Sequence, residues 1–172
     1  MNKEEARRIA LDLRFNENKK EASNNVIEAL IKSKILNKFK NVGIYYPIGK
    51  EIDITPLISY YKDINFYLPK TEDELSFIKF DGNLVNGPFH TKEPIGKKIN
   101  RDIIECFIIP CVAISKDKRR IGYGKGYYDR YLKDYKGLKI GICYKNSSYM
   151  DIKTDSFDIK LDEIFLGWLW IV

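Results

Sequence analysis

Hydrophobic and polar positions along this chain follow two different periods. A 3.6-residue period predicts helices, whereas a two-residue period or a short unbroken apolar run predicts strands. Helices are predicted at 3–16, 20–39 and 127–134, with a short helix that Thr55 caps and Pro56 begins. Strands are predicted at 41–46, 64–68, 75–80, 103–110, 138–144 and 161–172. The stretches 86–98 and 145–160 have neither period and are predicted to be irregular.

The order of these elements predicts the fold class. Helical and strand segments alternate without a break in composition or an internal repeat, so we expect a single α/β domain over 1–172. Its sheet should be mostly parallel and flanked by helices, in three layers. Pro110 should end the strand 103–110, because proline cannot donate to a ladder. Right-handed crossovers then place the residues that follow at the carboxyl edge of the sheet, where ligands bind in such folds.

Composition and charge narrow the class of protein. The chain has 172 residues, of which 44% are hydrophobic, and a formal net charge of +6. No apolar run approaches the roughly 20 residues of a membrane span, and the charged N-terminus lacks the core of a signal peptide. We therefore expect a cytoplasmic protein. The lysines are spread along the chain and no nucleic-acid-binding motif is present, so the charge is compatible with a nucleotide or another polyanionic ligand.

The cysteines and the histidine carry little chemistry. An odd number of cysteines without paired spacing predicts neither a disulfide framework nor a zinc site, and we expect buried small hydrophobic side chains at Cys106, Cys111 and Cys143. His90 is the only histidine, and no hydrolase motif accompanies it.

The richest motif is the run Arg-Ile-Gly-Tyr-Gly-Lys-Gly-Tyr-Tyr-Asp-Arg at 120–130. Alternating glycines let a backbone approach a ligand closely, and the exposed N–H groups of such a turn bind anions. Lys125 and Arg120 add positive charge, and Asp129 has the chemistry to hold a magnesium ion against phosphates. The spacing matches neither the dinucleotide fingerprint nor the Walker A loop. A phosphate site is indicated, and a glycine-rich hairpin with a solvated lysine is the alternative.

The first predicted helix carries three cations on one face. Lys3, Arg7 and Arg14 lie within about 40° of one another at 3.6 residues per turn. A solvated charged face is the simplest interpretation of this pattern.

Five motifs stand in a fixed order along nearly the whole chain. They are Lys3 with Arg7, Tyr45-Tyr46-Pro47 followed by Glu51 to Thr55, Glu93-Pro94, Pro110 followed by Arg120 to Leu132, and Asp158 to Glu163. Together they resemble the motifs of the 5-formyltetrahydrofolate cyclo-ligase family, also called methenyltetrahydrofolate synthetases. The resemblance implies an enzyme that cyclises 5-formyltetrahydrofolate to 5,10-methenyltetrahydrofolate. ATP is hydrolysed to ADP and phosphate, magnesium is required, and a phosphorylated formyl (imidate) intermediate forms.

The resemblance also implies roles for particular residues. ATP would be bound by Lys3, Arg7, Arg120, Gly122, Tyr123, Gly124, Lys125, Gly126, Tyr127 and Tyr128. The folate would contact Tyr46, Glu51, Tyr123 and Tyr127. Lys125 and Arg120 are the catalytic candidates, since they would neutralise charge on the transferred phosphate, and Asp129 and Asp158 would bind magnesium. The partners would be small-molecule substrates, without nucleic acid or membrane, and we expect a monomer.

The chain departs from the family pattern at several positions. The family residue differs at five positions: it is aspartate at Ser115, glutamine at Ser147, glycine at Lys118, histidine at Phe157 and threonine at Leu166. None of these is a predicted phosphate or magnesium ligand. The departures keep open a non-catalytic folate- or nucleotide-binding protein on the same scaffold. The net charge of +6 leaves a nucleic-acid-binding protein as a third hypothesis.

Overall fold

A six-stranded sheet forms the centre of the computed structural model, which describes residues 1–168. The helices are α1 Lys3–Arg14, α2 Lys19–Ser33, α3 Pro56–Tyr60 and α4 Tyr127–Tyr131. The strands are β1 Asn41–Gly43, β2 Asn65–Thr71, β3 Leu75–Lys79, β4 Leu84–Asn86, β5 Lys92–Pro94, β6 Cys106–Pro110, β7 Ala113–Ile114, β8 Arg120–Ile121, β9 Leu138–Tyr144 and β10 Glu163–Gly167. Within residues 1–168, no helix combines the length and apolar character needed to cross a membrane.

The strand order places a ligand crevice at the middle of the sheet. The order is β3-β2-β1-β6-β9-β10, and every neighbouring pair is parallel except β2 with β3. The chain moves outward from β1 on one side and from β6 on the other, so the direction of winding reverses between these two strands. Such a switch point opens a crevice at the carboxyl ends of the strands. The predicted fold class, α/β with a mostly parallel sheet flanked by helices, is confirmed.

Both faces of the sheet are buried, as the continuous apolar run of β6 requires. Cys106 and Ile108 face the core under α2 and α3, whereas Phe107 and Ile109 face the core on the α4 side. The first helix does not belong to either layer. Its buried alanines pack in a third cluster against the β7–β8 hairpin, which holds α1 beside the carboxyl end of β6.

Several predicted boundaries are wrong, each for a local reason. The helix predicted at 20–39 ends at Ser33, because Lys34 adopts a left-handed conformation (φ 59°), and a separate 3-10 turn follows. Thr55 makes no side-chain cap; instead the carboxylate of Asp53 accepts hydrogen bonds from its N–H and hydroxyl. The stretch 86–98, predicted to be irregular, includes β5 and the end of the β4–β5 hairpin.

Other elements are shorter than predicted. The strand predicted at 41–46 is paired only over Asn41–Gly43, and the strand predicted at 103–110 begins at Cys106. The helix predicted at 127–134 has five residues, Tyr127–Tyr131. The strand predicted at 161–172 is observed as Glu163–Gly167, and 169–172 lie outside the described residues. Pro110 is the last residue of β6, as predicted.

A close approach between β1 and β6 gives the first testable prediction. A Cβ added at Gly43 would lie 2.6 Å from Cε1 of Phe107, whose ring is fully buried among three other aromatic rings. Gly43→Ala should therefore lower the free energy of unfolding by about 1–3 kcal/mol. The smaller side chain in Phe107→Leu should make room for the methyl group. We expect the double variant to lose at least about 0.5 kcal/mol less than the sum of the single losses, measured by urea unfolding. Additive losses would contradict this account.

Candidate active site

A cleft of about 780 Å³ opens at the carboxyl edge of the sheet, over the switch point between β1 and β6. This volume is typical of a small-molecule site. Every residue with a predicted site role lines it: Lys3, Arg7, Tyr46, Glu51, Arg120, Gly122, Tyr123, Gly124, Lys125, Gly126, Tyr127, Tyr128, Asp129 and Asp158. The structure therefore brings together residues that are up to 155 positions apart in sequence.

The glycine loop, residues 122–126, lies directly against arginine side chains. Arg120 donates from Nε to the carbonyl oxygen of Pro110 at 2.7 Å, and a Cβ on Gly122 would lie 2.6 Å from its Nη1. Arg7 donates from Nε to the Gly122 carbonyl at 2.6 Å, and its guanidinium occupies the space beside Gly124. Gly124 also has a φ of +104°, which L side chains rarely adopt. Glycine is needed here because arginine fills the space that side chains would take.

The N–H groups of the glycine loop have no protein acceptors. Among residues 1–168, none of the backbone N–H groups from Gly122 to Gly126 donates a hydrogen bond to another residue. Such a run of N–H donors beside two guanidinium groups has the chemistry to bind an anion. The following helix α4 has only five residues, so its dipole adds little to the loop's own amides.

Of the three cations of α1, Lys3 and Arg7 line the cleft and Arg14 is buried behind it, so the interpretation as a solvated face is wrong. Lys3 places Nζ 2.6 Å from Oδ2 of Asp155 and 3.1 Å from both carboxylate oxygens of Asp158. Arg14 is buried, and its guanidinium donates to the hydroxyl of Tyr123 at 3.0 Å. Helical spacing predicted that these side chains share one face, but it could not predict which residues that face contacts.

A buried acid and several tyrosines form the other part of the cleft. Glu51 is 4% exposed, and its Oε1 accepts a hydrogen bond of 2.8 Å from the N–H of Ile48. Burial raises the pKa of Glu51, and this hydrogen bond and nearby cations oppose the rise. Tyr45, Tyr46 and Tyr128 all line the cleft; Tyr45 is otherwise buried in the core, and its hydroxyl donates to the Ile52 carbonyl at 2.6 Å. Burial raises the pKa of Tyr128 well above its ordinary value, so its hydroxyl stays protonated.

Phe89 is a cleft residue that the sequence analysis missed. It lies at the tip of the β4–β5 hairpin, is half exposed, and its ring centroid is 4.1 Å from Nζ of Lys125. A lysine over an aromatic ring gains a cation–π attraction. The sequence feature that could have pointed to Phe89 is an aromatic residue within Gly-Pro-Phe-His, which was predicted to be an irregular loop.

Two aspartates are candidates for a magnesium site. Asp129 accepts a hydrogen bond from the N–H of Ile159 at Oδ1, 3.1 Å away, and its Oδ2 has no partner within the described part of the chain. Both oxygens of Asp158 are bonded to Lys3, and Oδ2 also accepts from the N–H of Asp155. No group of three acidic, histidine or cysteine side chains within 1–168 forms a metal cluster.

Most departures from the family pattern lie away from the cleft. Ser115 is fully buried and accepts a hydrogen bond from the N–H of Arg119 in the β7–β8 turn, and Ser147 is also buried. Leu166 packs against the core on the α4 side. Lys118 has a φ of 65°, which explains why glycine is common at this position. Phe157 is the exception: it lines the cleft, with Nζ of Lys3 4.8 Å from its ring centroid.

The cysteines have the structural role that was predicted. All three are free and buried. Burial raises the pKa of the Cys111 thiol to about 11, so it is protonated and unreactive at neutral pH.

Comparison with known proteins decides the family. A model of the 5-formyltetrahydrofolate cyclo-ligase family matches residues 3–167. The chain belongs to this family. The 5-formyltetrahydrofolate cyclo-ligase of Mycoplasma genitalium is 35% identical over 130 residues, covering 73% of this chain and 71% of that protein. The one from Haemophilus influenzae is 26% identical over 142 residues, covering 74% and 76%.

Solved structures agree with this cyclo-ligase assignment. The NMR structure of the Aquifex aeolicus 5,10-methenyltetrahydrofolate synthetase has a TM-score of 0.84 at 35% identity and covers 96% of this chain and 90% of its own. The Mycoplasma pneumoniae synthetase has a TM-score of 0.79 at 29% identity, covering 96% and 98%. The predictions of the family and of an enzyme belonging to it are confirmed. The roles of individual residues stay predictions.

The buried carboxyl group of Glu51 predicts a pH-dependent effect on stability. Because its pKa is higher in the folded protein than in the unfolded chain, charged Glu51 destabilises the fold above the folded pKa. The destabilisation should vanish below the ordinary pKa of 4.5, where the carboxyl is protonated in both states. Glu51→Gln should therefore raise the thermal midpoint at about pH 7.5 but not at about pH 3.5.

Calorimetry at the two pH values checks this, with Glu28→Gln as a control on an exposed part of α2. An equal gain at both pH values, or the same gain in the control, would contradict the role of burial.

Proposed function

We propose that this protein cyclises 5-formyltetrahydrofolate to 5,10-methenyltetrahydrofolate. The reaction would hydrolyse ATP and require magnesium. One observation carries the proposal. In a chain of the cyclo-ligase family, a loop of five unpaired amides and two guanidinium groups shares one cleft with a buried carboxylate and tyrosines. An anion site and a site for a flat, hydrogen-bonding ring are thus adjacent.

The phosphate side of the cleft is the glycine loop with its cations. The free N–H groups of 122–126, with Arg7, Arg120 and Lys125, would hold the phosphates of ATP. Arg7 and Arg120 are fixed by hydrogen bonds to backbone carbonyls, so they enter the reaction already oriented. The Lys125 side chain is exposed, with Nζ over the Phe89 ring, so it can follow the phosphate as it moves.

The folate side is built around Glu51. One carboxylate oxygen is held by the N–H of Ile48, and the other would accept hydrogen bonds from the N–H groups of the pterin ring. Tyr46, Tyr123 and Tyr127 line the same cleft and offer flat faces to the folate. A buried carboxylate that binds substrate N–H groups gives strong selectivity, because a ligand without them leaves a charge unpaired.

The proposed chemistry converts a poor leaving group into a good one. The formyl oxygen attacks the γ-phosphorus of ATP, so a new O–P bond forms as the bond to the β-phosphate oxygen breaks and ADP leaves. N10 then adds to the activated formyl carbon. The C–O bond breaks, inorganic phosphate departs, and the proton on N10 passes to solvent. The protein mainly orients the two substrates and stabilises the moving charge, chiefly through Lys125 and Arg120.

The carboxylates at this site are compatible with magnesium. Magnesium keeps several waters and is held by one or two carboxylates plus substrate phosphates, so a dedicated cluster of three acids is not required. Asp129 and Asp158 would hold the ion, which neutralises charge on the phosphates when bound. Lys3 is bonded to Asp158 in this structure, so it must leave that carboxylate before a metal ion is bound there.

The first test of the function is turnover. Purified protein with ATP, magnesium and 5-formyltetrahydrofolate should develop the absorbance of the methenyl product. Lys125→Ala should lower kcat by about 10²–10³-fold, since it removes a cation that stabilises the transferred phosphoryl group. Lys133→Ala is the matched control, because Lys133 is an exposed lysine in the next turn of the chain. Absence of product with intact ATP would refute the function, and near-normal turnover in Lys125→Ala would refute its role.

The second test concerns the competition between Lys3 and the metal. Lys3→Met should tighten the binding of Mn²⁺ to the free protein about fivefold. In the wild type, Mn²⁺ must break the ion pair between Lys3 and Asp158, which is worth about 1 kcal/mol, and the variant lacks this pair. Asp129→Asn should weaken Mn²⁺ binding while keeping the acceptor for Ile159. Electron paramagnetic resonance of Mn²⁺ measures both, with Lys153→Met as an exposed control. Unchanged Mn²⁺ affinity in Lys3→Met would show that Asp158 is not a ligand.

A non-catalytic folate- or nucleotide-binding protein is supported only by Phe157, the one departure that lines the cleft. The turnover assay separates the two functions, since binding of 5-formyltetrahydrofolate in calorimetry without product would favour the binding protein.

A further inference from the structure

Arg14, the last residue of α1, is buried where a surface arginine would be expected. Its side chain is 6% exposed, and it donates from Nη1 to the Tyr123 hydroxyl at 3.0 Å and from Nη2 to the Cys111 carbonyl at 3.2 Å. The guanidinium therefore joins the carboxyl end of β6 to the glycine loop. Its third donor, Nε, is also buried and meets no acceptor among residues 1–168.

A second, small cavity is lined by both Arg14 and Glu51, the acid of the folate side. It measures about 10 Å³ and is lined by Arg14, Glu51 and seven buried residues: Tyr45, Ile52, Pro110, Cys111, Ile142, Cys143 and Tyr144. A polar cavity of this size is just large enough for one water molecule. Both Arg14 and Glu51 are more than nine-tenths buried, and charges at such depth need compensation.

We propose that Arg14 is a positioning residue that acts through Glu51: its guanidinium, bridged by one water in the small cavity, is the counter-ion that keeps the Glu51 carboxylate charged and oriented toward the cleft. The inference rests on the proposed function in assigning Glu51 to the folate. The direct bond to Tyr123 ties the same guanidinium to the glycine loop, so Arg14 links the two halves of the site.

The other groups around Glu51 do not replace Arg14. Three cations act on it, Arg14 most strongly, then Arg120 and Lys19. Arg120 is already committed to the Pro110 carbonyl and stacks on Tyr128, with Cζ 4.5 Å from the ring centroid. Lys19 is bonded to the Gly49 carbonyl. The other titratable residues that line the small cavity are neutral at pH 7, as are two tyrosines of the cleft: Tyr45, Cys111, Cys143 and Tyr144 in the cavity, and Tyr123 and Tyr128 in the cleft.

The decisive experiment measures the titration of the Glu51 carboxyl carbon by ¹³C NMR in the free protein, with the signal assigned through Glu51→Gln. Arg14→Met should move the midpoint upward by about half a pH unit or more, because a nearby opposite charge favours the ionised acid. Arg14→Lys, which keeps the charge, should shift it less. Arg8→Met is the matched control, since Arg8 lies on the same helix but is exposed, and it should leave the midpoint unchanged.

Two outcomes would overturn the inference: the wild-type midpoint in Arg14→Met, or an equal shift in Arg14→Lys. Tyr123→Phe removes only the hydroxyl that Arg14 bonds, so a shift as large as that of Arg14→Met would also overturn it. If Arg14→Met does not fold, Arg14→Gln, which also removes the charge, takes its place: a midpoint above the wild-type value supports the inference, and an unchanged midpoint overturns it.

Kinetics then connect the counter-ion to recognition. In Arg14→Met, KM for 5-formyltetrahydrofolate should rise about fivefold or more, and the acid limb of kcat/KM for the folate should move to higher pH together with the Glu51 midpoint. A raised KM without movement of the acid limb would mean that Arg14 acts only on packing. If the wild-type protein forms no product, the proposed function fails, while the NMR midpoint still decides whether Arg14 is the counter-ion.

Discussion

The close packing of arginine side chains against the glycine loop is the constraint on which the site depends. Arg7 and Arg120 fill the space beside Gly124 and Gly122 and bind the carbonyl oxygens of Gly122 and Pro110. Those bonds satisfy carbonyl groups and leave the loop's N–H groups unpaired within the described structure. A side chain at Gly122 would require the Arg120 guanidinium to shift, and one at Gly124 would be strained by its φ of +104°.

The site is assembled from distant parts of the chain, and α1 is the part that joins them. This helix packs on the β7–β8 hairpin instead of the sheet, and its cations contact residues 111, 122, 123, 155 and 158. The start of the chain is bound to the segment 151–153: the Met1 amino group donates to the Asp151 carbonyl, and the Lys153 N–H donates to the Met1 carbonyl. Local opening of α1 would thus release the phosphate side of the cleft while leaving the central sheet intact.

The sequence predicted the parts of the structure that depend on local chemistry. The switch between helical and strand periods predicted the parallel sheet, and the glycine loop lies at its carboxyl edge as expected. Other features depend on tertiary contacts. Helical spacing showed that Lys3, Arg7 and Arg14 share a face, but a solvated face and a site-forming face have the same spacing. Phe89 was missed because the short hairpin that carries it has no clear hydrophobic period. The end of α2 was missed because lysine has no preference for the left-handed conformation that Lys34 adopts.

The charges of the cleft show why net charge was a weak guide to its ligands. Lys3 is paired with Asp155 and Asp158, and the field of Arg14 falls on Glu51, so in the free protein these cations are already compensated by the protein. Phosphate binding at Lys3 would therefore exchange its carboxylate partners for ligand groups. Such an exchange lowers the desolvation cost of binding, since the pairs are partly dehydrated beforehand. It also favours ligands that supply partners for both signs of charge at once: phosphates for the cations and ring N–H groups for Glu51.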